Sequence, residues 1–150
     1  MSQINLFGQE QDTLTSDDYY TPKWIFDTLG LHFDLDVASP PHETNVPCDR
    51  YLTKADDGLA TDWYGRVWMN PPFSSPSEWV WRWLDHGNGV ALLVMSKSRW
   101  FDTLWNRHDC AAVALPPTLK FSRGAIFIGC MLWAVGDDNI AALHNIGKVR

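Results

Sequence analysis

The run VALLVM at residues 90–95 constrains the fold more than any other segment. Six apolar residues in succession are typical of a strand that is buried on both faces, and such strands occur in parallel sheets that helices cover. Strand-like and helix-like segments alternate through the middle of the chain. The sequence therefore predicts a single α/β domain with a mostly parallel sheet flanked by helices.

The other strands are predicted from short apolar or alternating segments. In HFDLDVA (32–38), Phe33, Leu35 and Val37 are expected on one face, with the intervening aspartates on the other. Three further segments have strand character: GRVWMN (65–70), AAVAL (111–115) and AIFIGCMLWAV (125–135). Because ligands bind beyond the carboxyl ends of strands in such sheets, polar residues near those ends are candidate site residues.

Helices are predicted from their end signals. Thr21 is expected to cap a first helix that has Pro22 at its first position and ends at Gly30. The segment Ser75-Pro76-Ser77-Glu78 is read as a capping box that starts a helix running to about Asp85, with Gly87 and Gly89 expected to end it. Two more helices are expected, one at 100–108 and a last one capped by Asp137 or Asp138 and ending near Gly147.

Residues 39–62 contain three prolines and few periodic apolar residues, so they are predicted to form a long loop with at most one short element. The polar, acidic start of the chain does not resemble a signal peptide. We expect residues 1–16 to be a flexible segment ahead of a domain over 17–150. No apolar run approaches the ~20 residues that a membrane span needs, so no membrane partner is expected.

The three cysteines, Cys48, Cys110 and Cys130, are widely spaced and form no CxxC pair, so no metal site is expected. Their odd number favours a reducing, cytoplasmic compartment. Cys110 and Cys130 lie in apolar runs and are interpreted as core residues. The chain is 45% hydrophobic and has nine tryptophans, which is enough to bury a substantial core.

The net charge of −6 argues against a simple nucleic-acid-binding protein, but the charge is unevenly distributed. Residues 1–90 carry 5 Lys and Arg against 14 Asp and Glu, whereas residues 91–150 carry 7 against 4. Five basic residues concentrate late in the chain: Lys97, Arg99, Arg107, Lys120 and Arg123. Each alone is most simply a solvated surface residue, but as a group they suit a polyanion.

The predicted strand at 65–70 ends in Asn70-Pro71-Pro72-Phe73. If a planar ring with an amine lies beyond Asn70, the Asn70 side-chain oxygen and the Pro71 carbonyl each accept one amine hydrogen. This exposes the nitrogen lone pair as a nucleophile. The prolines have no N–H, so they add no competing donor and they fix the backbone. Phe73 can stack on the ring, and aromatic-base stacking contributes ~1–3 kcal/mol.

NPPF is a form of the motif of amino-methyltransferases that use S-adenosylmethionine. Three other segments precede it in the order expected for one family: DDYYTPKWIFDTLG (17–30), FDLDVAS (33–39) and DDGLATDW (56–63). With VWMNPPF they resemble the small phage and prophage DNA adenine-N6 methyltransferases over residues 17–135. The resemblance implies a minimal Rossmann-like methyltransferase fold, S-adenosylmethionine as cofactor, and DNA whose target adenine is flipped out as partner. It also implies a phage or prophage gene, a bacterial cytoplasm and a link to restriction–modification.

The resemblance assigns cofactor contacts to Tyr20, Thr21, Pro22, Asp36, Ala38, Asp57 and Leu59. The Thr-Pro segment would lie against the methionine end of the cofactor, and Thr21 can also cap a helix. Asp36 and Ala38 would replace the usual glycine-rich loop, with Ser39-Pro40-Pro41 standing where GxG is expected; a solvated carboxylate is the alternative for Asp36. Asp57 would contact the amine of the cofactor's adenine, and Leu59 would pack on the ring of that adenine. A surface turn is the alternative there, and Asp62-Trp63 is interpreted as a loop anchor.

Two segments are expected to contact DNA, with closure of the pocket as the alternative for the first. PPTLKF (116–121) matches a family segment that often reads Arg-x-Lys-Phe, with Thr118 in place of the arginine and Lys120-Phe121 retained. Residues 97–100 follow the VALLVM strand and are expected to contact DNA phosphate, with a solvated loop as the alternative. The predicted DNA-binding residues are Lys97, Arg99, Lys120 and Arg123.

The NPPF motif alone leaves the acceptor open. Adenine N6, cytosine N4 and a protein glutamine amide all present a nitrogen on a planar group, and the Thr-Pro and DDGLATDW segments favour adenine. A catalytically inactive DNA- or protein-interaction module is an alternative of another class. About 60 residues follow the helix after NPPF. The recognition sequence in DNA is therefore expected to be short or loosely read by loops. Alternatively, the two subunits of a homodimer are expected to share its recognition.

Overall fold

The computed structural model describes residues 3–4, 10–11, 21–42, 44–116, 120–121, 124–125 and 129–150. The strands are β1 (Gln3–Ile4), β2 (Glu10–Gln11), β3 (Phe33–Asp36), β4 (Cys48–Tyr51), β5 (Val67–Met69), β6 (Gly89–Val94), β7 (Cys110–Ala114), β8 (Lys120–Phe121), β9 (Gly124–Ala125) and β10 (Cys130–Val135). The helices are α1 (Lys23–Leu29), α2 (Ser77–His86), α3 (Arg99–Asn106) and α4 (Asp137–Leu143), with 3₁₀ turns at Lys54–Asp56 and Gly58–Ala60.

Six strands form one sheet in the order β4-β3-β5-β6-β10-β7. The neighbours β4, β3, β5 and β6 run parallel to one another, and β10 lies antiparallel between β6 and β7. The prediction of an α/β fold with a mostly parallel sheet is therefore confirmed. Two short antiparallel pairs, β1–β2 and β8–β9, stand apart from this sheet.

The sheet separates two hydrophobic clusters. The first core cluster packs α1 and α4 against one face and includes Ile25, Phe26, Phe33, Trp68, Leu132 and Leu143. The second core cluster packs α2 and α3 against the other face and includes Leu35, Val67, Val80, Trp83, Trp100 and Leu104. The interpretation as a core residue is confirmed for Cys130, which is buried in the first cluster, whereas Cys110 is only partly buried and packs against the second. Each face of the sheet is thus covered by two helices.

The expected shared face of Phe33, Leu35 and Val37 is wrong. Phe33 lies in the first core cluster, where its ring centroid is 5.7 Å from that of Trp68, whereas Leu35 and Val37 lie in the second. The amides of Asp34 and Leu35 both point at the carbonyl of Arg66, at 2.8 and 3.4 Å. Two residues opposing one, as in a bulge, shift the alternation of side chains by one position.

The predicted side-chain caps of α1, α2 and α4 are also wrong. The N-cap positions hold Pro22, Pro76 and Gly136, and no side chain caps the helix at any of them. Thr21 and Ser75 each lie one residue too early because the proline occupies the cap instead of the first helical position. The two aspartates expected to cap α4 lie in its first turn, where negative charge is favourable.

The glycine ends of the first two helices are confirmed. Gly30 (φ 68°) and Gly87 (φ 75°) both adopt the left-handed conformation just after α1 and α2. The last helix is shorter than predicted and ends at Leu143, before Gly147. Among the described residues, no helix combines the length and apolar character needed to cross a bilayer.

The segment at 39–62 is more regular than the predicted loop. It contains strand β4 and the two 3₁₀ turns. Strand β4 was hidden from pattern analysis because its four residues are exposed or only partly buried and two of them, Asp49 and Arg50, are charged. It is an edge strand paired only with β3 among the described strands, and charge is common on such edges.

Candidate active site

The order of the sheet places a crevice at the carboxyl ends of β3 and β5. From β3 the chain passes to β4 on one side, and then returns to β5 on the other side. The connections therefore diverge beyond the ends of β3 and β5, and ligands in open α/β sheets bind at such a switch point. A cavity of about 180 Å³ lies there. Its described lining comes from Thr21, Asp36, Val37, Ala38, Ser39, Pro40, Thr44, Val46, Thr53, Lys54, Asp57, Gly58, Trp68, Asn70, Pro72 and Trp79.

Asp36 is the buried acid of this pocket. It is only 1% exposed, and its Oδ1 accepts a hydrogen bond of 3.2 Å from the amide of Ala38. Burial raises the pKa of Asp36 from 3.8 to about 7, and the hydrogen bond from Ala38 offsets part of that rise. Asp36 is therefore not the solvated strand-end carboxylate of the alternative interpretation. Near neutral pH it can be neutral or charged in response to what lies beside it.

Asn70 and Thr21 meet at the mouth of β5. Thr21 is 4% exposed, and the amide Nδ2 of Asn70 lies 3.5 Å from its Oγ1, at the long limit of a hydrogen bond. The side chain of Asn45 donates to the carbonyl of Thr21 at 3.0 Å, which fixes that residue from the other side. Two segments far apart in sequence, the Thr-Pro segment and the NPPF motif, are thus brought together.

The other residues of the motif divide between pocket and core. Pro71 is buried, whereas Pro72 lines the pocket. Phe73 is half-buried and packs against the first core cluster. The exposed part of its ring is what remains for contact with a ligand.

Asp57 is exposed, but the turn that it forms packs closely against the end of β3. It adopts φ 54° and ψ 82°, the only positive φ among the described residues other than glycine. Aspartate tolerates this conformation better than most residues, and such strain is common at functional sites. The next residue, Gly58, is buried, and a Cβ there would stand 2.1 Å from the carbonyl oxygen of Val37. Only glycine allows the turn to approach the end of β3 this closely.

Only one of the remaining predicted cofactor residues is among the described lining of the pocket. Ala38 lines the pocket. Pro22 and Leu59 are half-buried beside it and are not among its described lining. The carbonyl of Leu59 instead accepts a hydrogen bond from the guanidinium of Arg82. Tyr20 lies outside the described residues.

Sequence reasoning missed the aromatic wall of the pocket. Trp79, on the first turn of α2, and Trp68, on β5, both line it. Each looked like an ordinary core residue because it occupies an apolar position of its element. The usable signal was distance along the chain, since both tryptophans lie within nine residues of Asn70. Thr53 and Lys54 were missed because they follow the unpredicted strand β4.

Two of the predicted DNA-facing residues lie at the same end of the sheet as the pocket. Lys97 and Arg99 are exposed just after β6, the strand next to β5. Trp100, by contrast, is buried in the second core cluster, where no phosphate reaches it. Lys120 belongs to the short strand β8, whereas Thr118 and Arg123 lie outside the described residues.

Comparison with known proteins connects this pocket to a family. The family model described as DNA N-6-adenine-methyltransferase (Dam) matches residues 9–114, well over half of the chain. The chain belongs to the Dam family. The resemblance carried by the four sequence segments is thereby confirmed, and the Dam match includes every lining residue of the pocket from Thr21 to Trp79.

One curated relative is a DNA N-6-adenine-methyltransferase of Haemophilus phage HP1, strain HP1c1. It is 35% identical over 97 residues, an alignment that covers 57% of this Dam-family chain and 55% of the relative. The chain thus spans about half the length of that relative. No solved structure matches the chain.

Proposed function

We propose that this chain transfers a methyl group from S-adenosylmethionine to the N6 amino group of adenine in DNA. The observation that carries the proposal is the single crevice in which Asn70, Thr21, Asp36 and Asp57 meet at the switch point of the sheet. Membership of the Dam family supports adenine as the acceptor over cytosine N4 or a glutamine side chain. DNA containing that adenine is the proposed partner.

The described lining of the crevice suits S-adenosylmethionine. This cofactor supplies a methyl group activated on a positively charged sulfonium, and it also carries a purine ring, a ribose and an amino-acid end. The rings of Trp79 and Trp68 offer apolar surface, while two carboxyl groups, Asp36 and Asp57, offer acceptors for hydroxyl, amine or cationic groups. Thr21 would hold a further polar group at the end of β5. A cavity of about 180 Å³ is below the 300–1,000 Å³ usual for whole ligands. The described walls would therefore enclose only part of the cofactor.

The residues of the NPPF motif are proposed to hold the target base. Asn70 would accept one hydrogen of the N6 amine through its side chain and Pro71 the other through its carbonyl. These bonds orient the nitrogen lone pair toward the methyl donor, and positioning of this kind supplies much of the rate of a direct transfer. The amine is inside the duplex in ordinary DNA, so the adenine would have to be flipped out to reach Asn70.

We propose that the fold is a minimal Rossmann-like methyltransferase fold. Supporting this, β4, β3, β5 and β6 run parallel and the crevice lies beyond the ends of β3 and β5, while β10 runs antiparallel on the other side of β6. The exposed cations Lys97 and Arg99 would contact phosphates beside the flipped base, together with Lys120 and Arg123. Such contacts position DNA without reading its sequence.

The function is tested by expressing the chain in a bacterial host that lacks DNA methylation and sequencing the modified genome. N6-methyladenine in a defined short context is the expected result. N4-methylcytosine would redirect the proposal to the other base. Unmodified DNA, together with no heat of binding on titration with S-adenosylmethionine, would support an inactive interaction module instead.

Phe73→Ala is expected to weaken capture of the base more than binding of the cofactor. Loss of ~1–3 kcal/mol of stacking should raise the KM for DNA about tenfold or more, while the Kd for S-adenosylmethionine changes less than twofold. Steady-state kinetics and calorimetry measure the two quantities. Phe101→Ala is the matched control, because Phe101 is also half-buried but packs against the second core cluster. Equal losses of DNA and cofactor affinity in Phe73→Ala would mean that Phe73 supports the fold instead.

A further inference from the structure

Arg82 on α2 faces away from the pocket but holds one of its walls. It lines a separate surface cleft together with Asp62, Trp63, Asp85 and His86. Its Nη1 donates to the carbonyl of Leu59 and its Nη2 to the carbonyl of Thr61. A guanidinium presents its donors in a rigid planar fork, so it can fix two carbonyls at a set spacing. The side chain of Arg82 thereby bridges two carbonyls of the segment that follows Asp57.

An aromatic stack joins the same side chain to the pocket. The Cζ of Arg82 lies 4.7 Å from the centroid of the Trp63 ring, and Trp63 stacks on Trp79 with centroids 6.4 Å apart and planes 23° apart. Trp63 also donates from Nε1 to the carbonyl of Gly58 at 2.8 Å. Trp79 lines the pocket directly and lies three residues before Arg82, on a neighbouring position of the helix surface.

The segment that Arg82 holds is tightly packed on the side facing β3, and its backbone is strained at Asp57. Gly58 already touches the end of β3, since a Cβ on it would lie 2.1 Å from the Val37 oxygen and 2.9 Å from Trp79. Asp57 is in a left-handed conformation that costs an ordinary residue roughly 1–2 kcal/mol. The hydroxyl of Thr61 lies 2.9 Å from the carbonyl oxygens of both Asp56 and Asp57 and shares its single hydrogen between them. Contacts from outside the segment, those of Arg82 and Trp63, add to the bonds of Thr61 in keeping it in place.

We propose that Arg82 is a positioning residue for the cofactor: by clamping the carbonyls of Leu59 and Thr61 and stacking on Trp63, it holds Asp57, Gly58 and Trp79 in their pocket positions. This inference rests on the proposed function, because it takes the ligand of the pocket to be S-adenosylmethionine. Arg82 is assigned no contact with the cofactor, the base or the DNA.

The test compares Arg82→Ala with Arg66→Ala in the full chain. Arg66 is a matched control: it also bridges elements through its guanidinium, donating to Asn139 Oδ1 at 2.7 Å and to the His32 carbonyl at 3.1 Å. It precedes β5, at the opposite end of that strand from Asn70. Both variants should lower Tm, which controls for a general loss of stability.

Two readouts separate positioning from stability. In the protein without cofactor, amide hydrogen exchange of residues 58–61 should accelerate about tenfold in Arg82→Ala and remain within twofold in Arg66→Ala. By calorimetry, the Kd for S-adenosylmethionine should rise about tenfold in Arg82→Ala, with kcat at saturating cofactor changed less than twofold. Arg82→Lys, which has no fork, should give intermediate values for both. Trp63→Phe, which keeps the stack but loses the bond to Gly58, should raise the Kd a few-fold.

The outcomes distinguish the two proposals. Unchanged exchange at residues 58–61 in Arg82→Ala, or equal acceleration in Arg66→Ala, overturns the positioning role whether or not the cofactor binds. An unchanged Kd in both Arg82→Ala and Trp63→Phe also overturns it. Failure of the unaltered protein to bind S-adenosylmethionine would contradict the proposed function. The exchange comparison would still decide the role of Arg82. Should Arg82→Ala not fold, Arg82→Lys and Trp63→Phe carry the same comparison.

Discussion

Asn70→Ala is expected to lower kcat for methyl transfer by a factor of about 10²–10³, the usual cost of removing one preorganised polar contact from a reacting group. Asn70, the first residue of the NPPF motif, lines the pocket beside Thr21. Alanine leaves the backbone of Pro71 and Pro72 in place, so the base can still enter. In this variant the N6 amine of the base has only the Pro71 carbonyl as an acceptor. Rapid-mixing measurements of a single turnover on DNA report the chemical step directly.

The matched control for Asn70→Ala is Asn106→Ala. Asn106 is exposed at the end of α3, and the hydrogen bonds described for its side chain go only to Asp102, one turn earlier. That variant should transfer methyl groups at the normal rate. An Asn70→Ala protein that did the same, with unchanged Tm, would contradict the role proposed for the motif.

Asp36→Asn is expected to change the way stability depends on pH. The folded-state pKa of Asp36 is raised from 3.8 to about 7. Below pH 3.8 the carboxyl is neutral in both the folded and unfolded states. Between pH 3.8 and about 7 the unfolded chain loses that proton while the folded protein keeps it, so stability falls as pH rises. At 1.36 kcal/mol per pH unit, the loss is roughly 4 kcal/mol, and it is complete above pH 7.

The measurement is the free energy of unfolding in urea for both proteins from pH 4 to pH 8. Because other titrating groups cancel in the comparison, Asp36→Asn should gain roughly 4 kcal/mol relative to the unaltered protein across this range. The asparagine keeps an oxygen for the amide of Ala38. Asp85→Asn, which changes an exposed carboxyl on α2, controls for adding an amide elsewhere. A relative stability that stays constant from pH 4 to pH 8 would show that Asp36 ionises as easily folded as unfolded.

The same group has a consequence for the proposed cofactor. A positively charged ligand beside Asp36 favours the ionised carboxylate, so binding should release a proton near pH 6 and affinity should increase toward pH 7. In Asp36→Asn this pH dependence should be absent. Calorimetry in buffers of different ionisation enthalpy counts the protons released.

The central strands and both glycine helix ends were predictable because their signals are local. A continuous apolar run fits a strand covered on both faces, as β6 shows, and Gly30 adopts a conformation that glycine accepts easily. The NPPF motif was also readable, since two prolines after a strand restrict the backbone strongly.

The features that could not be predicted from the sequence depend on tertiary contacts. Strand β4 exists because β3 supplies its partner, and its own charged residues give no strand signal. The position of Phe33 in the first core cluster follows from two amides sharing the Arg66 carbonyl, which no pattern reveals. The burial of Asp36 and the pocket face of Trp79 likewise arise only when β3, β5 and α2 come together.

The sheet separates the packing beneath the crevice into two core clusters, and the residues proposed to hold the base and the cofactor depend on these clusters differently. The ring of Phe73 packs against the first core cluster, which lies under α1 and α4 and also contains the pocket residue Trp68. Trp79 and the Trp63 ring beneath it rest on the second, under α2 and α3. Packing changes in the second cluster can therefore alter the Trp79 wall, which is proposed to face the cofactor, while they leave the support of Phe73, the proposed stacking residue for the base, intact.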